Sequence, residues 1–452
     1  MRSDCTVTGS HLEHLMHSTA GKGAMRRTRW RRVRPAMAMA LLCVGLPVGS
    51  RVSAQAPLTL GIAGRENAAV RVAASGRFVI VVWGASSSGG TEVYSAVSRD
   101  GGRTFGSAVR VNDTPFDARV GGEQPPQVAL VPRAGADPQV TVVWTAKRPD
   151  GGRLITSRST DGGATFTAAT VVPGSDAAGN RGWESVTVGR DGRVFAMWLD
   201  HRDLAMPAHQ HGAPATGSPA ATTADPVERA GKSQLYVASL DGRTAPKSIA
   251  RSVCYCCKTS FVTGADGAMY GVWRHVYPGD LRDMAFTVSR DGGRTFAAPV
   301  RVSEDGWEFD GCPDNGPTLA VDASHRAHVA WPAPVDVKNP NALSLFYATS
   351  TDARRFTPRV RIPTGSNAGH VQIVARADGS ALVAWDESAE GGRRVRYTTI
   401  RRSAVGGAVT IAPVTELGMG KYPALAVTGD AVLVTWSKAH AGGSVIGVRE
   451  LP

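Results

Sequence analysis

Four of the six cysteines, those after residue 54, are the side chains with the richest chemistry in this sequence, and three of them are nearly contiguous. Cys254, Cys256 and Cys257 lie within one short stretch, and Cys312 follows further along the chain. Thiolates are soft ligands that suit copper or zinc, whereas cysteines in an oxidising compartment usually form disulfides. Four cysteines allow three connectivities, one of which joins Cys254 or Cys256 to Cys312. Disulfides, a metal site and a redox role are the three alternatives.

A second group of metal-binding side chains lies in one long polar segment that contains His201, Met206, His209 and His211. Histidine and methionine suit copper or zinc, although this spacing matches no specific zinc motif. Residues 213–230 are rich in Ala, Pro, Thr and Ser, which favours a solvated loop as the alternative. The sequence requires no cofactor, and copper or zinc is the candidate if one binds.

One short motif recurs along the chain. Residues 98–105 read Ser-Arg-Asp-Gly-Gly-Arg-Thr-Phe, residues 159–166 and 289–296 repeat them closely, and weaker copies occur at 350–356 and 239–244. An aspartate before two glycines is typical of a turn, because the carboxylate accepts bonds from the next amides and glycine adopts positive φ. We therefore expect these aspartates to hold turns rather than to react with substrate: Asp100, Asp161, Asp291 and Asp352.

Apolar strands that end in tryptophan recur with the same spacing, and their last residues are Trp83, Trp144, Trp198, Trp273, Trp331, Trp385 and Trp436. Each has further strands before and after it, so the repeat unit is a four-stranded antiparallel meander. This pattern predicts an all-β protein, a single β-propeller. The last repeat has only three strands, and residues 57–62 form an unassigned one. We expect the latter to pair with residues 443–450 and close a ring of seven blades, with six blades as the alternative.

Residues 1–54 have the features of an N-terminal extension and signal peptide, followed by a single propeller domain over residues 55–452. Several arginines precede the apolar residues 36–48, and residues 52–54 fit a cleavage site. We therefore expect export to the periplasm or the extracellular space, without stable membrane insertion because the apolar run is short. Residues 1–54 carry nine Lys/Arg and two Asp/Glu, or +7 of the formal net charge of +13, so the rest of the chain has a net charge of about +6. The remaining chain has no basic cluster interleaved with aromatics, which excludes nucleic-acid binding. We expect a monomer.

The face opposite the repeated turns is where the unusual residues lie. In an antiparallel meander, the connections from the second to the third strand and from one blade to the next share this face, which we call the top face. The four cysteines, the His/Met segment and His370 all fall in such connections. The sequence therefore predicts that the functional site lies on the top face.

The repeated motif resembles the Asp-box of sialidase-like β-propellers, and the resemblance spans the chain after residue 54. It implies a glycan or other small ligand at the top face and an exo-α-sialidase type of glycoside hydrolase. Such enzymes bind the substrate carboxylate with three arginines and use a Tyr–Glu nucleophile pair with an Asp acid/base. Guanidinium groups pair bidentately with carboxylates, and a carboxylate can activate a phenol.

This sequence lacks the family's Phe-Arg-Ile-Pro segment before the first blade, so the catalytic roles are assigned by position alone. Arg65 is the nearest substitute for the arginine of that segment. The other candidates are Arg274 and Arg282 for guanidinium groups, Tyr422 for the phenol, and Glu184 or Asp386 for the carboxylate, with Arg394, Tyr277 and Glu387 as further options. A non-catalytic propeller that binds a ligand or protein, and a metal-binding envelope protein, are the two alternative functions.

Overall fold

The computed structural model describes residues 58–204, 226–309, 311, 313–403, 407–429 and 431–452. These residues form seven antiparallel sheets that follow one another along the chain as the blades of a propeller. The structure therefore confirms the all-β class and the seven-bladed ring, and the six-bladed alternative is wrong.

Each blade has four strands, ordered from the axis outward. The inner strands are Glu66–Ser75, Gln127–Arg133, Asn180–Val188, Ser260–Thr263, Thr318–Val321, Gly369–Ala375 and Lys421–Thr428. The second strands are Phe78–Ser87, Ala136–Arg148, Val194–His201, Met269–Arg274, Ala327–Pro334, Ala381–Ala389 and Ala431–His440. The third strands are Gly90–Ser98, Gly151–Ser159, Gln234–Ser239, Met284–Ser289, Leu343–Ser350, Gly392–Arg402 and Gly443–Leu451. The outer strands of blades 1 to 6 are Val109–Arg110, Thr170–Val171, Lys247–Arg251, Val300–Arg301, Val360–Ile362 and Val409–Ile411.

The outer strand of blade 7 comes from the other end of the described chain. Leu58–Leu60 pairs antiparallel with Gly443–Leu451, with Thr59 opposite Gly447. This is the predicted pairing, although the strand is shorter than residues 57–62. Because the first strand completes the last blade, the ring has no three-stranded blade with an open edge.

Two elements depart from the simple meander. Thr415–Met419 forms a further strand beside Gly392–Arg402 in blade 6. Pro226–Gly231 is a short helix in the long connection of blade 3. No helix in the described part of the chain is long and apolar enough to span a membrane.

The seven tryptophans lie within the second strands, which continue past them instead of ending there as predicted, and their side chains lie in the core. All seven are at most 1% exposed, and each lies among the apolar residues of its own or a neighbouring blade. Six of the seven indole N–H groups find acceptors within the fold, and that of Trp144 has none among the described residues. Trp83 donates to Asn67 Oδ1 at 3.0 Å, and Trp385 donates to Glu387 Oε2 at 2.9 Å. Six of these side chains therefore combine a large buried area with a satisfied polar group.

The repeated turns join the third strand to the outer strand, so they lie on the face opposite the top face. Ser98 Oγ donates to Asp100 Oδ1 at 2.7 Å, and the Arg103 and Thr104 N–H groups donate to the same oxygen at 3.0 Å. Thr104 Oγ1 donates to Asp100 Oδ2 at 2.6 Å. Corresponding bonds surround Asp161 and Asp291, and Asp352 retains part of the set. The carboxylates of Asp100, Asp161 and Asp291 accept bonds at both oxygens within their own turns, and that of Asp352 accepts them at one.

Four inner strands bend where they begin at the top face. Blades 1, 3, 6 and 7 each have a register shift there, at a non-glycine residue with positive φ: Ala69 (54°), Trp183 (52°), His370 (53°) and Tyr422 (56°). A bulge bends its strand and redirects side chains, and strained residues of this kind cluster at functional sites. The bulges therefore mark the axial end of the top face.

Candidate active site at the axial end of the top face

An ion pair that crosses the axis defines the centre of the site. Glu123 precedes the inner strand of blade 2, and its Oε1 lies 3.0 Å from Nζ of Lys258, which precedes the inner strand of blade 4. Glu123 Oε2 accepts the backbone N–H of Gly316, which leads into blade 5, at 2.8 Å. Blades 2 and 5 are not neighbours, so a side chain can bridge them only at the axis. Both members of the ion pair are buried.

A histidine and a tyrosine from blades 6 and 7 lie against each other beside this ion pair. The ring centroids of His370 and Tyr422 are 4.1 Å apart. The backbone N–H of His370 donates to Asn315 Oδ1 at 2.9 Å. A Cβ on Gly122 would lie 2.1 Å from the Tyr422 ring, so only glycine allows the ring to sit against the connection that carries Glu123. The two strained residues are thereby tied to blades 5 and 2.

Asp386 orients His370 and Tyr422 through hydrogen bonds to both residues. His370 Nδ1 lies 2.8 and 2.9 Å from the two Asp386 oxygens, and the Tyr422 backbone N–H donates to Asp386 Oδ2 at 2.6 Å. Burial raises the pKa of Asp386, but His370 and the paired Arg393 outweigh it and hold the pKa below its usual range. Because the carboxylate is ionised, Nδ1 is the donor in this contact, and Nε2 of His370 is left to exchange a proton.

Asp314 is the carboxyl group in this cluster that is open to solvent. It has a positive φ of 44° and accepts no hydrogen bond from the described residues. Desolvation by the surrounding protein and the negative charge of Glu123 raise its pKa to about 6, against the opposing charges of His370 and Lys258. Asp314 can therefore hold or release a proton near neutral pH, which is what a general acid requires.

The Tyr422 phenol keeps its proton. Burial raises the pKa of Tyr422, and the negative charges of Glu123, Asp314 and Asp386 raise it further. Tyr422 therefore lies within electrostatic reach of carboxyl groups from three different blades or connections. The neutral phenol is therefore a hydrogen-bond donor at the centre of the site.

Glu184 lies deeper, on the inner strand of blade 3. It is 2% exposed, accepts a bond from Thr145 Oγ1 at 3.2 Å, and its Oε1 has no hydrogen-bond partner among the described residues. Burial raises its pKa to about 7, which the bond from Thr145 and the charges of Arg119 and Arg71 only partly offset. Arg71 Nη1 donates to Gln372 Oε1 at 2.8 Å, and burial lowers the Arg71 pKa to about 10.

The guanidinium groups of the three arginines that the resemblance suggested are bound to other partners within the fold. Arg65 pairs with Glu92 in blade 1. Arg274 is buried, donates to the carbonyl oxygens of Arg282, Asn315 and Pro332 at 2.8–2.9 Å, and stacks on Trp307. Arg282 is buried beside Cys254. Of the six predicted catalytic residues, the structure brings together Tyr422 and Asp386.

The remaining candidates take other partners. Arg394 pairs with Glu416, Glu387 pairs with Arg396, and Arg301 stacks on the Tyr277 ring. His201 is buried against Trp183, with ring centroids 5.7 Å apart. Met206, His209, His211 and Cys312 lie outside the described residues, so the predicted pairing of Cys312 and the His/Met metal site remain predictions.

The other three cysteines form one buried cluster. Cys254 Sγ lies 3.9 Å from Cys256 Sγ and 3.6 Å from Cys257 Sγ. Cys254 and Cys257 are free thiols, and Cys256 is disulfide-bonded.

Four residues of the axial cluster were not among the catalytic candidates predicted from the sequence: Glu123, Lys258, Asp314 and His370. Each lies just before or at the start of an inner strand, on the connection from the preceding blade. That shared position is the signal that could have selected them, since every such connection reaches the axis from the top face.

Comparison with known proteins supports the architecture. No model of a protein family matches the sequence, and no curated protein matches it. Among solved structures, the chain is similar to the GH93 α-L-arabinofuranosidase of Fusarium graminearum (12% identity, 88% of this chain, 96% of that chain, TM-score 0.50). It is also similar to the polysaccharide lyase Uly1 (12% identity, 87% of this chain, 92% of that chain, TM-score 0.51). A third similar structure is the Hadza microbial sialidase Hz136 (17% identity, 81% of this chain, 74% of that chain, TM-score 0.44). At these identities the similarity concerns the fold alone: the chain is a seven-bladed β-propeller.

Proposed function

We propose that this protein is an exported glycoside hydrolase whose active site is the axial cluster. The observation that carries the proposal is Asp314, a solvent-accessible carboxyl with a pKa of about 6 beside an oriented imidazole and a neutral phenol. Strongly perturbed groups that converge on one end of a fold favour an active site. The solved structures that share the fold include glycan-active enzymes, which agrees with a glycan as the ligand.

In this proposal Asp314 and His370 act on opposite sides of a glycosidic bond. Asp314 donates its proton to the leaving-group oxygen, which prevents a build-up of negative charge there. His370, fixed through Nδ1 by Asp386, accepts a proton at Nε2 from the attacking water. Tyr422 donates a hydrogen bond to the sugar, and the Lys258–Glu123 pair bounds the site.

The sialidase type remains the finer alternative. There Tyr422 would be the nucleophile and would lose its proton to a carboxylate, with Asp314 again as the acid. The raised pKa of Tyr422 favours the water mechanism, because no phenolate is formed in advance. The stereochemistry of the product distinguishes them, since direct attack by water inverts the anomeric centre and a covalent Tyr422 intermediate retains it.

The test is a panel of aryl glycosides, including a sialoside and an α-L-arabinofuranoside, together with natural oligosaccharides. We expect Asp314→Asn to lower kcat/KM about 10²–10⁴-fold on natural substrates. The loss should be smaller on aryl glycosides, whose acidic leaving groups need less protonation. The control is Asp176→Asn, since Asp176 is exposed and precedes the inner strand of blade 3 without a hydrogen bond from the described residues.

Two results would contradict the proposal. In the first, Asp314→Asn cleaves natural substrates as fast as the wild type. In the second, the wild type binds a glycan without turnover, which would support the non-catalytic binding propeller. An unsaturated product, visible by its ultraviolet absorbance, would show elimination instead of hydrolysis.

A further inference from the structure

The buried cysteine cluster has the dimensions of a metal–thiolate site. The Sγ atoms of Cys254, Cys256 and Cys257 all lie within 4.8 Å of one another, with two separations of 3.6 and 3.9 Å. Metal–thiolate bonds are about 2.3 Å long, so thiolates around one ion are separated by roughly 3.8–4.0 Å. The side chains need only small movements to share an ion.

The surroundings of the cluster compensate negative charge. Arg282 Nη1 lies 3.5 Å from Cys254 Sγ, and Arg282 and Arg274 are both buried. A monovalent cation with three thiolates has a net charge of minus two, which Arg274 and Arg282 offset in part, since Arg282 also pairs with Asp280. A buried thiolate site without such partners would be strongly unfavourable.

The oxidation state of Cys256 decides what the cluster can do. With Cys256 disulfide-bonded, only two thiols remain, so a site with three thiolate ligands cannot form. Reduction of that disulfide by a thiol reductant supplies two electrons and two protons and frees the third thiol. A cation that then binds displaces three thiol protons and is neither oxidised nor reduced.

We propose that Cys254, Cys256 and Cys257, when all three are reduced, bind one Cu(I) ion in a three-coordinate site. Soft thiolates select Cu(I), and three ligands suffice for it, whereas a structural zinc site requires four. The disulfide-bonded form is the metal-free state of the same cluster. This inference does not depend on the glycosidase proposal.

The site lies next to the axial cluster in the chain and in space. Cys257 directly precedes Lys258, and the backbone N–H of Asn315 donates to Cys257. Asn315 also holds His370, so a bound ion would fix residues on both sides of the axial site.

The test uses fully reduced wild-type protein under anaerobic conditions, with Cu(I) supplied against a chromophoric chelator. We expect one Cu(I) per chain, and X-ray absorption should show three sulfur neighbours at about 2.3 Å. Cys254→Ser and Cys257→Ser should each lose the bound copper. Tyr255→Phe is the matched control, because it changes the same loop without removing a thiol.

A second measurement does not rely on variants that could fail to fold. In the reduced wild type, Cu(I) should protect these three cysteines from alkylation, as mapped by mass spectrometry. The proposal is overturned if the reduced protein retains no copper against the chelator, if Cys254→Ser retains as much as the wild type, or if the three thiols are not protected. Retention of zinc in preference to Cu(I), with four ligands, would also overturn it.

Discussion

Carboxyl groups at the two ends of the propeller have opposite properties. On the face of the repeated turns, Thr104, Ser98 and Arg103 donate to Asp100, and these bonds hold its pKa well below its usual range. At the axial end of the top face, Asp314 has a pKa of about 6 and Glu184 a pKa of about 7. Both sets are fixed by turns or bends at strand ends.

The number of hydrogen bonds that each carboxyl group accepts accounts for this difference in pKa. Asp161 receives bonds from Ser159, Ala164 and Thr165, which stabilise its ionised form. Asp314 accepts none from the described residues, and Glu184 accepts bonds only from its own backbone N–H and from Thr145. In both cases desolvation therefore outweighs the nearby groups that favour the ionised form. A saturated carboxylate stabilises a fold, whereas an unsaturated one is available for proton transfer.

The largest expected effect concerns Glu184, whose ionisation opposes folding. Its pKa is 4.5 unperturbed and about 7 in the folded chain. The unfolded chain therefore releases this proton first as the pH rises. The stabilisation is complete below pH 4.5 and is lost as the pH rises through about 7, a change of about 3 kcal/mol in the free energy of unfolding. Glu184→Gln cannot ionise and should be more stable than the wild type at pH 8.

The measurement is chemical denaturation of wild type and Glu184→Gln at pH 5 and pH 8. Their difference isolates Glu184, because all other titrating groups are shared. Glu390→Gln, at an exposed glutamate, should follow the wild type at both pH values. Parallel curves for wild type and Glu184→Gln would show that Glu184 is not a strained acid.

A smaller effect is expected at the opposite end, where Asp161→Ala removes the acceptor of a turn. We expect the Tm to fall by a few degrees while kcat per folded molecule is unchanged, because Asp161 lies on the face opposite the axial cluster. Thermal denaturation and an activity assay on the same samples measure both quantities. Asp176→Ala is the control for a lost exposed carboxylate. An unaltered Tm combined with lost activity would contradict the structural role.

Much of the fold follows from the sequence because repetition samples the same pattern several times. The turn at Asp100 recurs with the same donors, and a tryptophan recurs in the second strand of every blade. The closing strand was predictable from an incomplete last repeat, since an unpaired sheet edge is unfavourable. Local bonds and burial decide these features, and both are visible in the sequence.

The axial cluster was less predictable because its residues occur once each and meet only through ring closure. Glu123 and Lys258 are far apart in the chain, and their ion pair depends on how seven blades converge. The bulge at Tyr422 has a positive φ, but no glycine at this position indicates it in the sequence. Arg274 and Arg282 were attractive candidates by type, yet backbone carbonyls and Cys254 occupy their guanidinium groups.

The smallest expected effect is a displacement of the pH profile that tests the electrostatic account of Asp314. The negative charge of Glu123 raises the Asp314 pKa, and Lys258 lowers it. Glu123→Gln removes the first charge and leaves the second unpaired, so both changes lower that pKa. Since only protonated Asp314 can donate, activity falls as the pH rises through its pKa, and this limb should move from about pH 6 downward by about one unit.

The measurement is the pH dependence of kcat/KM on a natural oligosaccharide, whose leaving group requires the proton of Asp314. Glu92→Gln is the control, because Glu92 is also a buried partner of an ion pair but lies in blade 1 beside Arg65. Its profile should coincide with that of the wild type. A limb that stays in place in Glu123→Gln would mean that Asp314 is not the acid, and a limb that moves upward would mean that Glu123 stabilises the ionised form. Either result would remove the contrast between the two ends of the propeller. The raised pKa of Asp314 would then be explained neither by the charge of Glu123 nor by a role as the general acid.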